Sequence, residues 1–284
     1  MRVHFCGVRG STPAPGAQFA RYGGHTSCLA VVRDDASAPS LILDSGTGIR
    51  AVTDLLGGAP FAGTILYSHL HWDHFTGLPF FAGADDDRAR ADVRIPAPLE
   101  PEGGDAEAVL ARAMSPPHFP ITPSELRGDW TFEAIEPGEY EYEGFGVLAL
   151  EIPHRGGRAY GYRISDDHST LTYMPDHCPT SLGDGDDGWG AYHPAALELA
   201  RDADALVHDA TLLAGELAAK ARFGHAAGEY AVGLGQRAHV GKVVLFHHAP
   251  DRTDDELDAL AESLPSVIVA RQGSVLTLPV TVER

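Results

Sequence analysis

Apolar and polar positions fall along this chain in blocks of two different periods. Short runs rich in β-branched and aromatic residues at 1–8, 28–33, 41–44, 64–68, 93–97, 130–135, 145–152, 159–164, 169–174, 267–270 and 275–280 predict strands. Two more, 205–211 and 243–250, read as strands that run into turns. Helical spacing appears at 49–56, 107–114, 194–201, 223–238 and 254–264, with a short helix at 77–81. The Asp-rich segment 85–92 reads as a surface connection, and Ser115-Pro116-Pro117-His118-Phe119-Pro120 cannot be helix interior because of its prolines. Strands and helices alternate in both halves, with no internal repeat and no linker. That pattern predicts one α/β domain over 1–284, built in four layers with two sheets face to face and helices outside.

The strand ends carry the chemistry. Run 64–68 passes directly into His69-Leu70-His71-Trp72-Asp73-His74. While the chain stays extended, positions 69, 71 and 73 point one way, and a turn into helix at His74 adds a fourth group to that side. Three imidazoles and a carboxylate suit zinc or another borderline divalent ion, and they crowd badly without one. Run 145–152 ends in Pro153-His154, run 169–174 in Pro175-Asp176, and run 243–250 contains His247-His248. His69, His71, Asp73, His74, His154, Asp176 and one of His247 or His248 suffice for two ions with a carboxylate between them. Asp44, at the end of run 41–44, either orients a metal-binding imidazole from behind or caps a turn.

Composition narrows the partners. A hydrophobic fraction of 44% is ample for a core, and the net charge of -19 with no Lys/Arg run repels nucleic-acid backbones. A small substrate is therefore expected, and a long nucleic acid is not. Cys6, Cys28 and Cys178 are odd in number and lack CxxC spacing, which fits a reducing cytoplasm. Cys178, two residues after Asp176, reads as a buried small hydrophobe and not as a thiolate ligand. The absence of an N-terminal apolar core segment and of a long uncharged apolar stretch predicts a cytoplasmic protein with no membrane association.

The spacing His69-x-His71-x-Asp73-His74 resembles the HxHxDH signature of the metallo-β-lactamase superfamily. Within it, several stretches are similar to the ribonuclease Z and small phosphodiesterase branch: Gly7-Val8-Arg9-Gly10-Ser11, residues 22–28, Gly161-Tyr162-Arg163, His208-Asp209-Ala210-Thr211 and Gly224-His225-Ala226. The resemblance spans about 1–278. It implies an αββα sandwich of two mixed β-sheets flanked by helices, two divalent ions (zinc first, manganese or iron as alternatives) and a homodimer. It assigns His69, His71 and His154 to one metal, Asp73, His74 and His247 to the other, and Asp176 to the bridge. In that branch a hydroxide between the metals is the nucleophile, which Asp73 could also orient, and the histidine matching His225 is catalytic near the leaving group. His118, Arg163 and His248 are candidate substrate contacts.

Two departures bear on this. Position 25 is His where the branch usually has Asn, and the loop at 225 reads His225-Ala226-Ala227 where it usually reads His-Ser-Thr. Ribonuclease Z proper also carries a long basic arm between the ligands matching His154 and Asp176, an interval of only 22 residues here. The expected activity is thus hydrolysis of a small phosphodiester, such as a cyclic nucleotide. The alternatives are hydrolysis of a lactone, thioester or other carboxylic ester at the same site, and a non-catalytic metal-binding protein on the same scaffold. A diiron oxygen- or nitric-oxide-reducing enzyme is disfavoured, because that branch usually has Glu where His71 stands.

Overall fold

A computed structural model of the chain describes residues 1–99 and 104–279. In chain order, β1 (Arg2–Gly7), β2 (Cys28–Val32), β3 (Leu41–Leu43), β4 (Ala62–Leu66), β5 (Arg90–Pro96) and β6 (Asp129–Ile135) build one sheet. Then β7 (Gly138–Tyr142), β8 (Phe145–Ile152), β9 (Ala159–Ser165), β10 (Thr170–Met174), β11 (Ala205–Asp209), β12 (Lys242–Phe246) and β13 (Ile268–Val269) build the second. The last strand, β14 (Val275–Thr277), returns to the first sheet beside β1. Both sheets are mixed: β3 to β6 and β10 to β13 pair in parallel, and the remaining neighbours are antiparallel.

The side-chain alternation of a strand explains the layering. Leu29, Val31, Leu41, Leu43 and Leu66 face inward and meet Val147, Tyr162, Tyr173, Val207, Val244 and Phe246 of the other sheet in one buried cluster. Their neighbours Ala30, Ile42 and Ile65 face outward, under Ile49, Val52, Phe81 and Leu110. Helices cover these outer faces: α1 (Val52–Leu55), the single turn α2 (Trp72–Phe75) and α3 (Ala106–Ala111) on the first sheet. On the second lie α4 (Pro194–Ala200), the short α5 (Leu217–Lys220), α6 (Gly228–Arg237) and α7 (Asp254–Ser263). Central strands buried on both faces account for the nearly continuous apolar runs in the sequence. The four-layer sandwich of two mixed sheets is as expected.

The differences are local. Strand β7 lies in a stretch for which no element is predicted, although Gly138-Glu139-Tyr140-Glu141-Tyr142 alternates polar and aromatic. It is an edge strand with one wet face, joined to β8 by a tight turn in which Glu143 and Gly144 both have positive φ (55° and 77°). The predicted surface connection 85–92 gives way at Arg90 to β5, whose Arg90 is tied to Asp92 and Glu143. The helix predicted from 223 begins at Gly228, because Gly224 turns the chain with φ 88° and 225–227 stay extended. Of the predicted strand 275–280, position 280 lies outside the described residues. Among the described residues no helix is long and apolar enough to cross a membrane.

Candidate metal centre

Strands β4, β8, β10 and β12 end at the same edge of the two sheets, and the residues that follow them converge. The sheets are pinned together there: Tyr160 N donates to Ser68 O (2.8 Å), and the Tyr162 hydroxyl donates to Tyr67 O (2.6 Å). After Ser68 the chain stays extended through His71 and then makes the turn α2, which swings Asp73 and His74 inward. One group that could hold an ion comprises His69, His71, His154 and Asp176; a second comprises Asp73, His74 and His247. Asp176 lies between them. Its Oδ2 is 3.3 Å from His154 Nε2 and 3.6 Å from His69 Nε2, while its Oδ1 is 3.1 Å from His74 Nε2 and 2.9 Å from His247 Nε2.

The far sides of His74, His247, His154 and His69 are each engaged. His74 Nδ1 faces Asp44 Oδ2 (2.8 Å), His247 Nδ1 faces Thr211 Oγ1 (2.9 Å), His154 Nδ1 faces Gly224 O (2.9 Å) and His69 Nδ1 faces Ser68 Oγ (3.1 Å). Their Nε2 atoms are thereby aimed at the centre, as metal-ligating histidines are by their outer partners. Nitrogens meet nitrogens there: His74 Nε2 and His247 Nε2 are 3.1 Å apart, and His154 Nε2 and His71 Nδ1 3.2 Å. His69 Nε2 is buried with no hydrogen-bond partner, and neither has Asp176 Oδ1, although it lies 2.9 Å from His247 Nε2. A partnerless imidazole nitrogen and a partnerless carboxylate oxygen inside so close a cluster are what groups aimed at a shared third atom show. The donors therefore fit divalent ions of the zinc type.

The electrostatics follow from burial and neighbours. Burial pushes His69 well below its usual value, and the adjacent His74 and His154 push the same way. Burial also opposes ionisation of Asp73 and Asp176. The facing imidazoles, His74 first for Asp73 and His247 first for Asp176, nonetheless hold both well below the carboxylate range. Ser11 N donates to Asp73 Oδ2 (2.6 Å), with Ser11 itself at φ 64°. Gly10 makes that loop possible, since a Cβ there would strike the His247 ring.

A mouth of about 380 Å³ opens over the cluster between Ser11, His71, Trp72, Asp73, Asp176 and His225. His225 Nδ1 is 3.1 Å from Asp209 Oδ2 and 3.8 Å from Asp176 Oδ2. Burial alone would lower this imidazole; the Asp209 carboxylate outweighs it and raises it. Asp209 also accepts from the backbone N–H of His177 and Ala226 (both 3.1 Å) and from Thr211, so it is rigidly placed.

The sequence around this centre, residues 42–248, matches the family model described as a beta-lactamase superfamily domain. The chain belongs to the beta-lactamase superfamily. A ribonuclease Z of Bradyrhizobium sp. (strain ORS 278) is 26% identical to it over 286 residues, 86% of this chain and 91% of that one. Human tRNase Z, short form, superposes with a TM-score of 0.67 at 18% identity over 99% of this chain and 100% of its own. A diphosphatase from the PhnP family does so with 0.67 at 17% identity, over 98% and 97%. These two likenesses establish a common fold.

Within the superfamily fold, the seven residues expected as ligands and His225 come together. The three expected substrate contacts do not. Arg163 lies four residues along β9 from Ala159, roughly 13 Å down the strand from the cluster edge. Its guanidinium donates to Leu199 O (2.9 Å) and Arg201 O (2.7 Å), the carbonyls at the end of α4, so it caps a helix away from the cluster. His248 turns away from His247: its Nε2 faces Ala270 O (2.8 Å), its ring meets Tyr22 edge-on, and burial pushes it down to about 3. His118 is exposed and lines a neighbouring groove behind Trp72 instead of the mouth. Sequence reasoning gave Asp209 no role; its signal was the one seen at Asp176, a carboxylate at the end of an apolar run.

Proposed function

We propose that this chain hydrolyses a small phosphodiester, with one divalent ion held by His69, His71 and His154, another by Asp73, His74 and His247, and Asp176 shared. The observation that carries this reading is the His225–Asp209 pair at the rim, 3.1 Å apart and next to Asp176. Two divalent ions bound there, zinc first given the imidazole-rich donors, would supply a nucleophile from water at neutral pH and neutralise phosphoryl charge. With Nδ1–H donated to Asp209, His225 presents Nε2 to the mouth. A proton passes from that atom to the departing alkoxide oxygen. Asp73, its carboxylate fixed by the Ser11 N–H, orients the attacking water.

Two observations favour a small substrate over RNA. The connection from His154 to Asp176 is consumed by β9, β10 and a turn closed by Asp166 on Ser169, leaving no arm to grip a long strand. The net charge of -19 opposes a polyanion.

The test is turnover by the zinc- or manganese-reconstituted protein of bis(p-nitrophenyl) phosphate, 2′,3′- and 3′,5′-cyclic nucleotides, a lactone and a tRNA with a 3′ extension. Diester hydrolysis that stops with chelator and drops in His225→Ala is expected. Lactone turnover without diesterase activity would move the chain to carboxylic esters, and RNA cleavage alone would move it to the ribonucleases. Silence on all with two ions bound would make it a binding protein.

A further inference from the structure

Trp72 is the anomaly of the signature stretch. It stands between His71 and Asp73 and is 74% exposed, and it lines one groove with Phe80, a second exposed large apolar side chain, so the two belong to one exposed apolar patch. The indole is a partition. On one side lies the mouth over the cluster, with His71, Asp73, Asp176 and His225. On the other lies a groove of about 520 Å³ walled by Phe80, Met114 and Phe119, with His118 at its rim. Phe80 is also 59% exposed, and it meets Phe119 edge-on at 5.8 Å, so the turn after α2 and the proline-rich 115–120 loop together form the wall opposite Trp72. The groove falls within the size of small-molecule sites and, like them, is mostly apolar with a few polar edge groups.

We propose that Trp72 and this groove form the subsite for a nucleobase carried by the phosphodiester, with the base stacked on the indole while the phosphate sits at the cluster. This rests on the phosphodiesterase reading above. The continuity of the two cavities through a single side chain is the decisive feature. A ligand anchored at His71 and Asp73 cannot extend past Trp72 without covering it. Every base has a π-face, and stacking on an aromatic side chain needs no further polar partners, which suits walls of Phe80, Met114 and Phe119. His118 at the rim offers a donor or acceptor to the base edge, which stays in water.

The experiment measures binding of AMP, ribose 5-phosphate and phenyl phosphate to the metal-loaded protein by calorimetry, in wild type, Trp72→Ala and Phe119→Ala. Metal content is checked in each by mass spectrometry. AMP is expected to bind about 10- to 100-fold more tightly than ribose 5-phosphate to wild type, the range that base stacking supplies. Trp72→Ala is expected to erase that ratio, and Phe119→Ala, which is remote from the ligands, to reduce it. Equal affinity of wild type for AMP and ribose 5-phosphate would overturn the subsite while leaving diester turnover intact. Phenyl phosphate binding as tightly as AMP, with the same dependence on Trp72, would replace the base by a simple aryl group. A wild-type dimer that Phe80→Asp converts to monomer in sedimentation would assign the face to a second copy of the chain and overturn the proposal. Absence of turnover on any phosphodiester would instead remove the reading beneath it.

Discussion

Asp44→Asn is the most informative single change, because Asp44 touches no candidate ion yet governs a ligand. Its buried carboxylate accepts four hydrogen bonds: from Ser68 N (2.7 Å), Ser68 Oγ (2.8 Å), the Tyr173 hydroxyl (2.8 Å) and His74 Nδ1 (2.8 Å). The residue sits at φ 58°, a left-handed backbone that Asn tolerates better than most, so the substitution adds little backbone strain. An amide has one acceptor oxygen where the carboxylate has two. Whichever way it turns, its NH₂ faces a donor, either Ser68 N–H or the Nδ1–H of His74. Each hydrogen bond to a buried charge is worth roughly 1.5–3 kcal/mol, and the loss of one is the expected cost in stability. His74 also loses the partner that fixes its tautomer, which for an outer-sphere carboxylate costs about 10- to 100-fold in metal affinity. Competition titration against a chromophoric chelator, resolving both ions, measures this directly. The weakening is expected at the site of His74, Asp73 and His247, with a smaller effect at the other through Ser68 and His69. A folded Asp44→Asn protein that binds both ions as tightly as wild type would refute the claim that the outer partners aim these imidazoles.

Three further outcomes follow from the same geometry. Gly10→Ala places a Cβ against the His247 ring, at 3.0 Å from Cγ and nearer still to Nδ1 and Cε1. His247 must shift, and kcat/KM for a diester should fall on the order of 100-fold with loss of metal from its site, measured by mass spectrometry. Asp209→Asn should lower kcat about 100-fold or more with both ions retained, because His225 loses the group that orients it; unchanged kcat would release His225 from its role. Arg163→Ala should cost about 1 kcal/mol, roughly 2 °C in Tm, and leave kcat/KM unchanged, since the side chain serves only the α4 terminus.

Much of this centre was legible in the sequence because a parallel-rich sandwich places function where buried strands end. An apolar run followed at once by His or Asp, as at 64–74, 145–154, 169–176 and 243–247, carries its own coordinates: the run must be buried, so its end must reach the sheet edge. Asp44 was visible by the same logic, although only the structure separates its contact with His74 from a turn cap. What residue spacing alone left open was set by side-chain direction. Arg163 ends a family-like stretch, but direction along β9 carries it away from the cluster and onto helix carbonyls. His247 and His248 are adjacent, and only the backbone at His247, with φ 56°, decides which ring enters the centre. β7 was missed for a different reason: an edge strand with one wet face has few apolar residues to announce it.

The most direct test of the account is metal stoichiometry measured beside diester turnover in wild type and Asp176→Ala. Among the described residues Asp176 alone reaches both groups of ligands, with one carboxylate oxygen toward each. Wild type is expected to hold two ions per chain and to hydrolyse bis(p-nitrophenyl) phosphate, and Asp176→Ala to lose both metal and turnover. A metal-replete, fully active Asp176→Ala protein would contradict the shared-carboxylate centre on which the proposed chemistry depends.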